Sequence, residues 1–129
     1  MVDVLIVEDS VAIRKILQRI LRQCSLPIGE IREAGDGQEA LAILGSHTIN
    51  LVLSDVNMPN MDGLELLRTM SANPALKNIP VIMVTTEGSQ MAVMKAAEVG
   101  AVGYIRKPFN ADQIKEKLES VLAIQSGAQ

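Results

Sequence analysis

Short apolar runs alternate along this chain with longer stretches in which apolar residues recur at helical spacing. Five apolar runs predict strands, the second of them weakly, at residues 4–7, 30–34, 50–54, 81–84 and 103–106. Five stretches of helical period predict helices, at about residues 11–24, 36–45, 63–71, 89–99 and 110–124. This alternation is typical of βαβ units built around a parallel sheet.

Several predicted helix ends carry capping residues. Asp36 precedes Glu39 by three positions, and the segment 110–113 has Asn and Gln at the same spacing, so both predict reciprocal capping boxes. Gly45 is suited to a left-handed C-terminal cap of the second helix, and Gly100 is expected to close the fourth.

Chain connectivity limits the topology. Right-handed crossovers with helices on both faces leave few arrangements of five parallel strands. The simplest is a doubly wound, flavodoxin-like α/β fold, with a five-stranded parallel sheet in the order 2-1-3-4-5 flanked by five helices. Because there is no internal repeat and no linker, we expect residues 1–129 to form one domain.

Composition indicates a soluble cytoplasmic chain. Of the 129 residues, 48% are hydrophobic, which is enough for a core without disulfides or a structural metal. The one cysteine, Cys24, lies in a helical apolar pattern and is interpreted as a small buried thiol in a reducing compartment. No apolar run reaches the ~18 residues that a membrane helix needs, and no basic leader precedes the first strand. We therefore expect no membrane partner.

The charge distribution argues against a nucleic-acid partner. The net charge is −3, and the four basic residues of the first helix alternate with apolar ones, as on the solvated face of an amphipathic helix. These residues are Arg14, Lys15, Arg19 and Arg22. A clustered basic footprint, which nucleic-acid binding usually requires, is not visible.

Polar side chains follow four of the predicted strands at the point where each strand ends. Glu8 and Asp9 follow the first strand, Asp55 the third, Thr85 the fourth and Lys107 the fifth. Because the carboxyl ends of parallel strands meet at one edge of a sheet, we expect these side chains to converge there. Carboxylates, a hydroxyl and an ammonium in one crevice suit a hard cation and a phosphoryl group.

The carboxylates offer ligands for Mg²⁺, which prefers about six oxygens and usually keeps several waters. Glu8, Asp9 and Asp55 are the candidate side chains, and the backbone carbonyl of Asn57 could complete the set. Taken alone, the pair Glu8 and Asp9 has a simpler reading as an acidic loop after a strand.

Asp55 is also a candidate nucleophile, because a carboxylate can attack phosphorus to form an aspartyl phosphate. Bound Mg²⁺ and the ammonium of Lys107 could neutralise the phosphoryl oxygens, and the Thr85 hydroxyl could donate a further hydrogen bond. A cis bond between Lys107 and Pro108 is one way to direct the lysine over the crevice. The alternative is an ordinary lysine before a turn. Because an acyl phosphate is short-lived, the chemistry favours a signal.

Other residues have less specific readings. Tyr104, on the last strand, is either a half-buried packing residue or part of a conformational readout. Met91 and Met94 are spaced three apart on the fourth helix, which favours a core position, although methionine also suits adaptable binding surfaces. His47 lies in a polar segment and is expected to be exposed to solvent.

Four motifs carry a family resemblance. They are Val-Glu-Asp-Ser at 7–10, Ser-Asp-Val-Asn-Met-Pro-Asn-Met-Asp-Gly at 54–63, Met-Val-Thr-Thr-Glu at 83–87 and Gly-Tyr-Ile-Arg-Lys-Pro-Phe at 103–109. In this order and spacing, the chain resembles the receiver domain of two-component response regulators over essentially its whole length. Within that family it is most similar to the single-domain chemotaxis regulators.

The resemblance implies that Asp55 accepts a phosphoryl group from a histidine kinase. Asp9 would bind Mg²⁺ directly, Glu8 through water and Asn57 through its carbonyl, while Lys107 would pair with Asp55 or its phosphate. Two-component receivers of this kind are signalling switches and are enzymes only in their own phosphotransfer and self-dephosphorylation.

The resemblance also implies a conformational output. Thr85 would move toward the phosphate and Tyr104 would swing inward, which reshapes the face formed by the fourth helix, fifth strand and fifth helix. Asn57 and Glu87 occupy positions that tune self-dephosphorylation in the family.

Two departures concern the output. Val56 stands where chemotaxis regulators carry a bulky aromatic residue, and Ser89 and Gln90 replace a basic start of the fourth helix. Lys117 would keep one basic contact on the last helix. These changes bear on whether the output face docks on the same flagellar component.

We therefore expect a stand-alone, monomeric response regulator in chemotaxis or flagellar motor control. Its partners would be a sensor histidine kinase of the CheA-like type and a flagellar motor switch protein or histidine phosphotransferase. The alternative is a phosphorelay intermediate or adaptor in a non-motility two-component pathway. An aspartate-nucleophile phosphatase would need a second aspartate at the position of Asn57, and a flavin carrier would need a phosphate loop where Glu8 and Asp9 stand. A scaffold that is not phosphorylated is opposed by the complete set of candidate residues.

Overall fold

In a computed structural model, which describes residues 1–86 and 90–125, the helices and strands alternate as the sequence predicts. The strands are β1 (Val2–Val7), β2 (Ile28–Ala34), β3 (Leu51–Ser54), β4 (Val81–Thr85) and β5 (Gly103–Arg106). The helices are α1 (Val11–Gln23), α2 (Gly37–Ser46), α3 (Gly63–Ser71), α4 (Gln90–Val99) and α5 (Ala111–Gln125). None of these helices is both long enough and apolar enough to cross a bilayer.

The strands form one parallel sheet in the order β2-β1-β3-β4-β5, which confirms the predicted topology. In the register, Val7 pairs with Ser54, Ser54 with Met83, and Thr85 with Arg106. The carboxyl ends of the four strands β1, β3, β4 and β5 therefore lie side by side, and the residues that follow them start from one edge of the sheet.

Two hydrophobic clusters lie on opposite faces of the sheet. Leu5 and Val7 point to the cluster that includes buried residues of α2 and α3, whereas Val4 and Ile6 point to the cluster with α1 and α5. Because both faces are covered, the residues of β3 and β4 are all buried. This explains why these strands are continuous apolar runs in the sequence.

The weak second strand is longer than predicted. It begins at Ile28 rather than near residue 30, and it pairs only with β1, with an irregular register between Val2 and Val4. Most residues of this edge strand are only partly buried. Its apolar signal is therefore weak, although its backbone is fully part of the sheet.

The C-terminal cap predicted at Gly45 is wrong. Helix α2 continues through Gly45 to Ser46, and its C-cap is His47, which is extended and exposed. A Cβ at Gly45 would meet nothing within 4 Å, so nothing crowds a helix that runs through this position. Gly100, in contrast, has a φ of +119° and closes α4 as predicted.

One predicted capping box is confirmed and the other forms only in part. The side chains of Asn110 and Gln113 each accept a hydrogen bond from the other residue's amide, at 2.9 and 2.8 Å. Asp36 accepts from the amide of Glu39 at 2.9 Å, but the Glu39 carboxylate accepts from the amide of Gly35 instead of returning to Asp36.

Two side chains are more exposed than their spacing suggested. Met91 and Met94 on α4 are 81% and 56% exposed, so the core interpretation of this pair is wrong. Their spacing of three fits one helical face, but it does not determine whether that face meets the sheet or the solvent.

Cys24, predicted to be a buried thiol, is only half-buried. It lies at the C-cap of α1, where its thiol donates to the carbonyl of Leu21.

Candidate functional site

Asp55 directly follows β3, and its position is fixed from both sides. Its amide donates to the carbonyl of Val7 at 2.9 Å, which ties it to the end of β1. Its Oδ1 accepts from the amide of Val56 at 2.7 Å and more weakly from that of Asn57 at 3.4 Å. The buried carboxylate is thus oriented by its own loop, with Oδ2 directed toward the crevice.

Glu8, at the end of β1, is even more deeply buried than Asp55. Its amide donates to the carbonyl of Ala34 at 2.9 Å, which extends the pairing of β1 with β2. Its Oε2 accepts from the amide of Ser10 at 3.0 Å, and Ser10 in turn caps α1 through the amide of Ile13. The turn from β1 into α1 therefore holds this carboxylate inside the crevice.

Lys107 joins the two carboxylates. Its Nζ lies 2.5 Å from Glu8 Oε1 and 3.2 Å from Asp55 Oδ2. Its amide donates to the carbonyl of Thr85 at 2.8 Å, and the bond to Pro108 is cis, as considered from the sequence. The reading of Lys107 as an ordinary residue before a turn does not account for these contacts.

Burial and the ion pairs shift the pKa values of Glu8 and Lys107. Burial raises the pKa of Glu8, and the charge of Asp55 adds to the rise, while hydrogen bonds from Lys107 and the Ser10 amide oppose it. Burial alone would lower the pKa of Lys107. The hydrogen bond to Glu8 and the charge of Asp55 outweigh burial, so the pKa of Lys107 is raised.

Asp9 completes a cluster of carboxylates with Glu8 and Asp55. One oxygen from each lies within 4.8 Å of the others, and Asp9 is exposed while its two neighbours are buried. A hard divalent cation fits such oxygen donors, and the exposed Asp9 leaves the cluster open to solvent. The simpler reading of Glu8 and Asp9 as an acidic loop does not account for the convergence with Asp55.

Two residues predicted to carry the switch lie on β4 and β5. Thr85 is fully buried at the end of β4. Tyr104 pairs with Met83 in the register, packs against the hydrophobic cluster beside α3 and α4, and has a buried hydroxyl oxygen. Glu87 and Ser89 lie outside the described residues, as does the side chain of Gln90.

Gly63 was not singled out as a site residue, yet it lies against the candidate nucleophile. Its amide donates to the carbonyl of Val56 at 2.8 Å. A Cβ at this position would stand 2.0 Å from the backbone oxygen of Asp55, which is a direct overlap with backbone. An Asp-Gly pair that opens a helix directly after the loop could have drawn attention to it.

The loop after β3 is tied to the start of α2. Asn60 has a positive φ of 65°, and its side-chain amide donates to Asp36 Oδ2 at 2.7 Å. The amide of Glu39 and the side chain of Asn60 together lower the pKa of Asp36. This contact holds the segment that carries Asn57 and connects two helices on one face of the sheet.

Arg14 is the second residue that the sequence did not identify. It was read as part of the solvated face of α1, but its guanidinium donates to the backbone oxygen of Glu8 at 2.6 Å and to the Glu33 carboxylate at 2.9 Å. Helical spacing placed it correctly among basic neighbours, and no local signal distinguished it from them.

Comparison with known proteins agrees with this architecture. A model of the response regulator receiver domain matches residues 4–119. The chain belongs to this family. It is 40% identical over 124 residues to the chemotaxis protein CheY of Pseudomonas aeruginosa, covering 96% of this chain and 98% of that protein.

Solved structures give the same result for the fold. The chemotaxis response regulator CheY4 of Vibrio cholerae is 36% identical, with a TM-score of 0.85 over 94% of this chain and 98% of that one. The Mn²⁺-bound form of the response regulator Rcp1 is 30% identical, with a TM-score of 0.79 over 95% and 93% of the two chains. The chain is thus a CheY-like receiver of the signalling class.

Proposed function

We propose that this receiver is a phosphorylation switch in which Asp55 accepts a phosphoryl group from a histidine kinase. The observation that carries the proposal is the position of the Asp55 carboxylate, clustered with those of Glu8 and Asp9 and 3.2 Å from the Lys107 ammonium. One site therefore combines a nucleophile, oxygen ligands for Mg²⁺ and a fixed positive charge.

The proposed reaction is a phosphoryl transfer between two protein side chains. A carboxylate oxygen of Asp55 attacks phosphorus, so that a P–O bond forms while the P–N bond of the kinase phosphohistidine breaks. The electron pair of the broken bond stays on the imidazole nitrogen. Val56 and Asn57 hold Asp55 Oδ1 through their amides, which keeps the carboxylate aimed while it reacts.

Glu8, Asp9, Asp55 and the backbone carbonyl of Asn57 would hold Mg²⁺, as the three carboxylates already converge. Bound there, the ion supplies positive charge to the phosphoryl oxygens. The relative Rcp1 in its Mn²⁺-bound form supports a divalent cation in this fold.

Lys107 would stabilise the transferred group as a fixed cation. It already contacts Asp55 at 3.2 Å and Glu8 at 2.5 Å, so contact with a phosphoryl oxygen requires only that it leave one carboxylate. Thr85, buried one strand away, would donate its hydroxyl to the phosphate, and Tyr104 would follow it inward. The receiver catalyses only its own phosphotransfer and self-dephosphorylation.

The output would pass through the face formed by α4, β5 and α5. The chemotaxis names of the similar proteins favour a CheA-like kinase as donor and a flagellar motor switch protein as receptor. The alternative, a phosphorelay or adaptor role with a histidine phosphotransferase, rests on Ser89 and Gln90, which replace the basic start of the fourth helix found in chemotaxis regulators. Residues 1–129 would act as one monomeric receiver unit in the cytoplasm, without nucleic-acid or membrane contacts.

Acetyl phosphate tests the chemistry without a kinase. The wild-type protein with Mg²⁺ should gain the mass of one phosphoryl group, and Asp55→Asn should not. Asp112→Asn, a matched change at an exposed aspartate of α5, should be labelled like the wild type. Labelling of Asp55→Asn at the wild-type level, or undiminished labelling in EDTA, would contradict the mechanism.

Capture from host lysate tests the output. Protein activated with beryllofluoride and Mg²⁺ is compared with untreated protein, and bound partners are identified by mass spectrometry. Activation-dependent capture of a flagellar switch protein supports motor control. Capture of a histidine phosphotransferase instead supports the relay.

A further inference from the structure

Arg14 differs from the other basic residues of α1, which are exposed to solvent. Its side chain is only 18% exposed and reaches from α1 across to the ends of β1 and β2. Nη1 donates to the backbone oxygen of Glu8 at 2.6 Å, and Nε donates to Glu33 Oε1 at 2.9 Å. Gln18, one turn further along α1, holds the other oxygen of Glu33 at 3.1 Å. The guanidinium is therefore fixed at both ends.

The Glu8 oxygen that Arg14 holds belongs to the peptide group that leads into Asp9. A peptide group is planar from one Cα to the next, so fixing its oxygen also fixes the direction in which the Cα of Asp9 lies. The preceding peptide is fixed separately, since the Glu8 amide donates to Ala34 at 2.9 Å. Arg14 thus fixes the peptide group between Glu8 and Asp9, which the pairing of β1 with β2 does not reach.

Asp9 depends on this control more than its two neighbours do. The carboxylates of Glu8 and Asp55 are buried and held by Lys107, whereas Asp9 is exposed. The placement of an exposed side chain follows from its backbone rather than from packing. The contact at the Glu8 carbonyl therefore orients the backbone from which the third carboxylate reaches the cluster.

We propose that Arg14 is a positioning residue for the divalent cation, acting through the peptide group between Glu8 and Asp9. The proposal rests on the proposed function in that the cation site is the one described above. Arg14 does not touch the cation ligands' carboxylate oxygens, and it orients the turn that presents Asp9.

The direction in which the Mg²⁺ affinity changes when Arg14 is replaced distinguishes a positioning role from a purely electrostatic one. A guanidinium near a cation site repels the cation, so its removal should strengthen Mg²⁺ binding if charge alone matters. Loss of a positioning contact should weaken binding instead. Mg²⁺ requires near-octahedral ligands while Ca²⁺ accepts flexible ones, so a loosened turn should also lower the preference for Mg²⁺ over Ca²⁺.

The experiment is calorimetric titration of the full chain with Mg²⁺ and with Ca²⁺. Arg14→Met should bind Mg²⁺ about tenfold more weakly than the wild type, which is the usual cost of losing a group that orients a metal ligand. Its Ca²⁺ affinity should fall less. Arg19→Met, which removes an exposed arginine from the same helix, should stay within about twofold of the wild type.

Arg14→Lys keeps the charge and guards against a misfolded methionine variant, with far-UV circular dichroism as the check on folding. A lysine lacks the fork that reaches Glu33 and the Glu8 carbonyl together, so Mg²⁺ binding should again weaken. Unchanged or tighter Mg²⁺ binding by Arg14→Met or Arg14→Lys overturns the inference alone. Failure of the wild type to bind millimolar Mg²⁺ overturns the proposed function.

Discussion

The ammonium of Lys107 lies nearer to Glu8 than to Asp55, at 2.5 Å against 3.2 Å. Both carboxylates are buried, so one cation compensates two negative charges in a region with little water. The pairing of Lys107 with Asp55 implied by the family resemblance is present, but it is the longer of the two contacts. The stability of the cation-free protein therefore depends on a three-residue charge cluster.

Lys107→Met should lower the free energy of unfolding of the cation-free protein by about 3 kcal/mol, because it leaves two buried carboxylates uncompensated. Adding Glu8→Gln to this variant removes one of the charges and should recover most of the loss. Urea unfolding in EDTA measures both. A double variant as unstable as the single one would show that charge compensation is not the cause.

The raised pKa of Glu8 predicts a pH dependence. A carboxyl group whose pKa is higher in the folded state contributes stability that is present below its unfolded pKa and is lost as the pH rises through its folded pKa. Compared with Glu8→Gln, the wild type should therefore lose stability as the pH rises from the ordinary glutamate range toward neutrality. Urea unfolding in EDTA between about pH 4.5 and 8 checks this. A constant difference between the two proteins contradicts it.

The raised pKa of Lys107 predicts a second loss of folding stability, at alkaline pH. Its contribution is complete below the ordinary lysine pKa and disappears as the pH rises through the raised value. The alkaline part of the stability curve should therefore be absent from Lys107→Met, and its persistence in that variant would assign it to another group.

Two glycines form a matched pair for substitution by alanine. A Cβ at Gly63 would stand 2.0 Å from the backbone oxygen of Asp55, so Gly63→Ala should destabilise by about 3 kcal/mol and slow labelling by acetyl phosphate. Gly45 lies inside α2 with nothing within 4 Å, and Gly45→Ala should stabilise by about 0.5–1 kcal/mol with unchanged labelling. Thermal unfolding and intact mass measure the two effects, and equal behaviour of the variants would be the contrary result.

Asn60 combines a side-chain contact with an unusual backbone, and two substitutions separate them. Asn60→Gly and Asn60→Ala both remove the hydrogen bond to Asp36, but only alanine resists the positive φ of 65°. The alanine variant should therefore be about 1 kcal/mol less stable than the glycine variant. If chemical denaturation finds them equally stable, the loop does not retain its left-handed backbone.

Thr85→Ala should separate phosphorylation from its readout. The nucleophile and Lys107 remain, so labelling by acetyl phosphate should persist, while the phosphorylation-dependent gain in partner binding should be lost. Thr85→Ser keeps the hydroxyl and should retain that gain. Binding of a motor switch protein to each variant, with and without beryllofluoride, measures it, and a normal gain in Thr85→Ala would remove Thr85 from the switch.

The fold was predictable because β3 and β4 are buried on both faces and stand out as apolar runs. Strand ends in a parallel sheet then place Glu8, Asp55 and Lys107 at one edge, whatever the details of their contacts. Within that edge, the sequence does not specify which acid a flexible lysine side chain prefers, and the shorter contact to Glu8 follows from three-dimensional geometry.

The predictions that were wrong or incomplete share a cause, because residue type and helical spacing do not show which neighbouring elements a position meets. Arg14 occupies the same kind of position as exposed basic residues of α1, and only the approach of β1 and β2 gives it partners. Met91 and Met94 have the spacing of a buried pair but face outward. Gly45 has the residue type of a helix end, yet the helix runs one residue past it because no contact opposes it.

The ion pair between Lys107 and Glu8 joins residues 99 positions apart. It forms only when β5 lies at the edge of the sheet, so a chain that lacks β5 has the proposed phosphoacceptor Asp55 but not the ammonium of Lys107. During synthesis on the ribosome, the proposed site is therefore incomplete until β5 and Lys107 have been made. A product truncated before β5 therefore does not acquire the full charge cluster.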